Sequence, residues 1–213
     1  MRNYLFDFDG TLVDSMPTYV SAMLRILDEN NISYKDDIVK IITPLGLKGA
    51  AEYYITIGVK MEKEKILEKM LAYMTEAYEN TIMAKPCVID ALMTLSTRGD
   101  RLHVLTASPH SSLDPCLKRL GIYDLFENVW SCDDFNTTKA DPEIYRMAAE
   151  RIGARVDEIL FFDDNLNADM TAKKAGMKVA GVFDESSREY ADEIRAVTDF
   201  YINDFSELAD IEF

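Results

Sequence analysis

The chain has 213 residues, with 38 acidic against 23 basic side chains and a formal net charge of −15. Its 48% hydrophobic and 29% charged residues can bury a core, which excludes a disordered chain, and the length suits one medium domain or a core with a small appendage. Such negative charge repels phosphate backbones and anionic lipid, so neither nucleic acid nor a membrane is expected as a partner, and an anionic substrate needs a local positive site. Cys87, Cys116 and Cys132 are widely spaced with no C-x-x-C pair, and read as thiols in a reducing compartment rather than a disulfide or zinc framework. No leader-like apolar region follows Met1 and no apolar stretch has the length of a membrane span, so a cytoplasmic protein is expected.

Tyr4-Leu5-Phe6 runs straight into Asp7-Phe8-Asp9-Gly10-Thr11. An apolar segment that stops at carboxylates, a glycine and a hydroxyl predicts a buried strand feeding a functional loop. From about Ser15 to Asn80 the spacing is helical instead, at Tyr19, Val20, Met23, Leu24 and Leu27 and again at Ile66, Leu67, Met70, Leu71, Met74 and Tyr78. This segment is read as an all-helical insertion, entered near Asp14-Ser15-Met16-Pro17 and left near Ala84-Lys85-Pro86. Residues 15–83 then form a helical cap, and residues 1–14 with 84–213 form the core. Within the cap, Leu45-Gly46-Leu47-Lys48-Gly49 reads as a loop with a basic residue between glycines, and Lys48 is the cap side chain expected to contact a substrate.

Beyond the insertion, helices and strands alternate. Helical patterns run through Val88, Ala91, Leu92 and Leu95 to Gly99, through Leu113, Leu117 and Leu120 to Gly121, through Ile144, Tyr145, Ala148, Ala149 and Ile152 to Gly153, and through Ala168, Ala172 and Ala175 to Gly176. Glycine just past the last apolar position is a common helix stop. Apolar runs at residues 102–105 before Thr106, 159–162 before Asp163 and 179–183 before Asp184 read as central parallel strands. The alternation predicts βαβ units and an α/β fold, a doubly wound parallel-sheet, Rossmann-like core. The acidic tail from Asp204 to Phe213 is expected as an edge element with a solvated face.

Every strong polar cluster falls where a strand ends, and in an open α/β sheet the ligand crevice lies outside the carboxyl ends of the strands. Asp7 and Asp9, two apart on extended chain, can address one side, and Asp163 and Asp164 join them from another strand end. Carboxylates so gathered repel one another unless a cation neutralises them, and a hard divalent ion with oxygen ligands, Mg²⁺, suits the set. A carboxylate can also attack phosphorus, forming an aspartyl-phosphate while a second carboxylate handles the proton. The transferring group then needs positive charge and hydrogen-bond donors, for which Thr106 and Lys139 have the right chemistry. His103, inside a strand, reads as packed, and His110 as a loop or helix-start residue. Asp169, at a helix start, suits the helix dipole as well as a site.

These motifs in this order resemble the haloacid dehalogenase superfamily of phosphotransferases, in its branch with a helical cap inserted after the first strand, over nearly the whole chain. The resemblance implies that Asp7 is the nucleophile and Asp9 the general acid/base, with the Asp9 carbonyl also a metal ligand. It further implies that Thr106-Ala107-Ser108 is the hydroxyl motif, that Lys139 binds phosphate, and that Asp164 is the principal metal ligand with Asp163 in support. Phe8 and Ala107 are expected beside the phosphoryl group. Ala140 stands where the family often has proline. The implied activity is hydrolysis of a small phosphorylated metabolite by a monomer or weak homodimer of the phosphoglycolate phosphatase-like group. Sugar phosphomutases share the motifs and the cap type, but where β-phosphoglucomutases carry a cap histidine and arginine this chain has Tyr19 and Glu52. A dehalogenase would lack the second aspartate, which is present as Asp9, and a non-catalytic phospho-ligand-binding protein would not need the full set.

Overall fold

The computed structural model describes all of the chain except Asp36 and Glu212, with Pro44, Ala209 and Asp210 described by their backbone alone. The chain divides into two compact units, residues 1–14 with 83–213 and residues 15–82.

The first unit is built on a six-stranded parallel sheet of β1 (Asn3–Phe6), β2 (Arg101–Thr106), β3 (Asn128–Ser131), β4 (Ile159–Asp163), β5 (Lys178–Val182) and β6 (Phe200–Ile202), in the order β3-β2-β1-β4-β5-β6. That is the doubly wound order, in which the chain leaves β1 first to one side and then to the other. Side chains alternate across β1, so Leu5 packs with Leu105, Phe161 and Val179 on one face while Tyr4 and Phe6 stack with Phe162 on the other.

The first face is covered by two helices, Glu143–Ile152 and Leu166–Ala175. They bury Ile144, Tyr145, Ala148, Ala149 and Ile152, and Ala168, Ala172 and Ala175, as their apolar spacing predicts. Both end on a left-handed glycine, Gly153 and Gly176.

The sequence missed β3 and β6, strands of only four and three residues. The acidic tail also differs from expectation: the edge of the sheet is β6, and residues 205–210 form a 3₁₀ turn that buries Phe205 and Leu208, with Ile211 buried just beyond. A spacing of three places these apolar residues on one side of a 3₁₀ helix. Phe205 reaches the rings of Phe6 and Phe162, so the tail is part of the core rather than a solvated edge.

Among the described residues of the second unit the regular structure is helical: α1 (Met16–Glu29), α2 (Ile38–Ile42), α3 (Gly46–Thr56) and α4 (Lys63–Asn80). Met23, Ile26 and Leu27 of α1 pack with Ala50, Ala51 and Tyr54 of α3 and with Ile66 and Met70 of α4. The buried Tyr54 hydroxyl donates to the Met23 carbonyl at 2.9 Å. The segment expected as a loop at residues 45–49 is mostly helical, because Ala50, Ala51 and Tyr54 bury one face and carry α3 back to Gly46. Lys48 is an exposed residue of the first turn of α3.

Candidate active site

β1 ends at Phe6, and Asp7 continues its pairing by donating its backbone N–H to the Phe162 carbonyl at 2.8 Å. Asp7 therefore emerges beside Asp163, the last residue of β4, at the point where strand order reverses about β1. The chain then turns tightly, with Leu12 and Val13 N–H groups both donating to the Phe8 carbonyl at 2.9 and 3.0 Å. Gly10 adopts φ +76°, and a Cβ there would lie 2.6 Å from Asp164 Oδ2, so only glycine lets the loop pass the carboxylate this closely. Thr11, buried, donates its hydroxyl to Asp164 Oδ1 at 3.1 Å.

Lys139 reaches in from the segment before the Glu143–Ile152 helix and donates to Asp7 Oδ1 and Asp163 Oδ2, each at 2.6 Å. The other Asp163 oxygen accepts from the Asn165 backbone at 2.8 Å, so Asp163 holds Lys139 and the following turn. Asp7, Asp163 and Asp164 each present an oxygen within 4.8 Å of the others, and all three are buried. Asp9 is less buried, and its carboxylate accepts from the Ser108 hydroxyl. Thr106, at the end of β2, accepts from the Ser108 backbone at 3.1 Å, and Ala107 beside it is exposed. Phe8 buries its ring completely, so a phosphoryl group could meet only its main chain.

Burial dominates the electrostatics. It raises the Asp7 carboxyl to about 7, with Lys139 opposing and Asp163 and Asp9 adding to the rise. Asp164 is pushed well above the ordinary carboxylate range by burial and by the charges of Asp163, Asp7 and Asp184. For Lys139 burial works against the charge, but Asp163 and Asp7 outweigh it and hold the ammonium well above its usual range. Asp169 is fully buried and neither of its oxygens has a hydrogen-bond partner among the described residues; burial and the nearby Asp163 and Asp164 raise it to about 10. It is therefore not a solvated helix-start acid.

Acids that can be ionised together only beside added positive charge fit a divalent cation, and oxygen donors alone fit Mg²⁺. His110 opens the helix His110–Arg119 and bonds Asp114 and Asp134 at 2.8 and 2.9 Å. His103 is buried and stacked on Trp130. The sequence reading assigned no role to Thr11 or Ser108, although both hydroxyls stand within the quoted motifs, and it did not single out Lys85, which carries no local signal.

A doubly wound core with a buried acid cluster and a lysine at its switch point has the Rossmann-like fold and a site whose charges suit phosphoryl transfer. The model of the haloacid dehalogenase-like hydrolase family matches residues 4–182, and the chain belongs to that family. It is an enzyme of the phosphatase branch. It is 29% identical over 181 residues to pyrophosphatase PpaX of Bacillus velezensis, covering 84% of this chain and 81% of that one. It is likewise 29% identical over 204 residues to phosphoglycolate phosphatase of Salmonella typhimurium, covering 85% and 81%. A crystal structure from Thermotoga maritima, described as a candidate β-phosphoglucomutase, superposes with a TM-score of 0.86 at 22% identity over 99% of this chain and 97% of that one. Among the described residues no helix is long and apolar enough to cross a membrane.

Proposed function

We propose that the chain is a Mg²⁺-dependent phosphatase that hydrolyses a small-metabolite phosphomonoester through an aspartyl-phosphate on Asp7, with Asp9 as general acid and base. The observation that carries this reading is the buried Asp7 carboxylate, bonded by Lys139 at 2.6 Å and clustered with Asp164 within 4.8 Å. Asp7, Asp164 and the Asp9 carbonyl would hold the ion, with Asp163 beside them serving mainly to place Lys139. When bound, Mg²⁺ supplies the charge that keeps Asp7 ionised and draws electron density from the phosphoryl oxygens.

An Asp7 oxygen forms the bond to phosphorus as the bond to the leaving oxygen breaks, and Asp9 gives that oxygen its proton. Water then attacks phosphorus while Asp9 takes the proton back, and the bond to Asp7 breaks to release inorganic phosphate. Lys139 and Thr106 hold the equatorial oxygens, with the main chain at Phe8 and Ala107 completing the cradle. Asp9, less buried than Asp7 and hydrogen-bonded by Ser108, leaves the first step without its proton and is then the base for water in the second.

Hydrolysis is favoured over phosphomutase chemistry by the cap. Tyr19 hydrogen-bonds the Leu47 backbone and Glu52 pairs with Lys63, so neither position offers a proton-timing imidazole or a cation for a second phosphate. Lys48, exposed on α3, is the cap cation for substrate discrimination. The relatives' names suggest phosphoglycolate, and beside the monoesters pyrophosphate, as the first compounds to try. Phosphate release from p-nitrophenyl phosphate by wild type and D7N, with Mg²⁺ and with chelator, tests the core of the proposal. Activity confined to wild type with Mg²⁺ is expected, and a D7N variant with wild-type turnover overturns the nucleophile assignment.

A further inference from the structure

Lys85 lies in the segment by which the chain re-enters the core unit. There the two crossings pair side by side: Asp14 N–H donates to the Met83 carbonyl and Lys85 N–H to the Leu12 carbonyl, each at 3.0 Å, around a bridge between Val13 and Ala84. This ribbon sets Lys85 beside the loop that follows β1. Its side chain, 13% exposed, spends all three ammonium donors on acceptors from two parts of the core. Nζ donates to the Gly10 carbonyl at 2.6 Å, the Phe183 carbonyl at 2.6 Å and Asp184 Oδ2 at 2.9 Å.

The Gly10 carbonyl belongs to the Gly10–Thr11 peptide. The two residues that this peptide joins both meet Asp164: a Cβ on Gly10 would lie 2.6 Å from its Oδ2, and the Thr11 hydroxyl donates to its Oδ1. The peptide is thus held between a cation anchored on the β5 exit and the carboxylate expected to grip a metal. Asp184, the anchor, is itself oriented by the backbone and hydroxyl of Ser186 at 2.9 and 2.6 Å.

We propose that Lys85 is a positioning residue for the divalent-cation site: by clamping the Gly10–Thr11 peptide to the end of β5 it fixes Asp164 and sets the affinity for Mg²⁺. The inference rests on the Mg²⁺ site proposed above. Two effects of removing Lys85 have opposite signs, which makes it testable. If the ammonium acts only as a nearby charge, K85M leaves a more negative site and Mg²⁺ binds more tightly. If it acts by geometry, the loop loosens and binding weakens. Groups that orient metal ligands from outside typically contribute about tenfold to a hundredfold in metal affinity.

The experiment is calorimetric titration of Mg²⁺ into metal-free full-length wild type, D164N, K85M and K85R, with circular dichroism and melting in EDTA for each. Wild type should bind, D164N should not, and K85M should bind at least about tenfold more weakly. K85R keeps the charge, but a planar guanidinium cannot put three donors where one ammonium nitrogen now sits, so it should also weaken binding. Unchanged or tighter Mg²⁺ binding by folded K85M overturns the proposal, as does a lowered melting temperature with an unchanged dissociation constant. If K85M loses its native spectrum, K85R decides by the same criterion. Failure of wild type itself to bind Mg²⁺ overturns the metal reading and is distinct from failure of the clamp.

Discussion

Gly10→Ala perturbs the site through one carbon atom, and the structure contains its own control. Gly10 and Gly121 have nearly the same φ, +76° and +73°, but a Cβ on Gly121 meets nothing within 4 Å. Both substitutions therefore incur the left-handed cost of an L residue, about 1–2 kcal/mol. Only Gly10→Ala also drives a methyl to 2.6–2.8 Å from three atoms of the Asp164 carboxyl group, where ordinary contact begins at 3.4 Å. Either the carboxyl retreats by several tenths of an ångström or the loop does, and a site tolerates a displacement of only about 0.5 Å. The Thr11 bond to Asp164 would be lost in either case. Melting in EDTA and the Mg²⁺ concentration for half-maximal phosphatase activity separate the two costs. G121A should melt lower with an unchanged Mg²⁺ requirement, whereas G10A should melt lower and need about tenfold or more Mg²⁺. A G10A enzyme with the Mg²⁺ requirement of G121A would refute the claim that glycine is needed there for Asp164.

Other consequences can be checked independently. In metal-free protein Asp7 at about 7 and Asp169 at about 10 bind protons that the unfolded chain has released, so this contribution to stability is present below about pH 4 and is lost as pH rises through the folded values. The gain in melting temperature on adding Mg²⁺ should accordingly be larger at pH 8 than at pH 5.5, and a gain independent of pH would contradict the buried acid cluster. His103 behaves oppositely, since burial holds it neutral down to about 4 while the unfolded residue takes a proton near 6.5. It should remove about 3 kcal/mol of stability as pH falls from 6.5 to 4, seen as the difference between wild-type and H103F denaturation curves; parallel curves would refute it. Phe205→Ala should lower unfolding free energy by about 3–5 kcal/mol in urea titration, and a loss under about 1 kcal/mol would return the tail to the solvated edge first expected.

What the sequence determined alone is everything that repeats locally. Four apolar runs ending in polar residues, with glycine-stopped helices between them, specify the central strands β1, β2, β4 and β5 and the switch point where Asp7, Asp163 and Lys139 meet, because parallel strands buried on both faces must be apolar throughout. The strands β3 and β6 and the helical start at Gly46 were not legible, since short segments take their conformation from neighbours distant in the chain. The tail was misread because its charge is local information, whereas the burial of Phe205 and Leu208 depends on rings contributed by β1 and β4. Only the tertiary structure could distinguish Asp169 from a solvated helix-start acid, or bring Lys85 to the carbonyl of Gly10, 75 residues earlier. A carboxylate's pKa and a lysine's three acceptors are set by what folding brings within a few ångströms, and residue type and spacing carry no record of that.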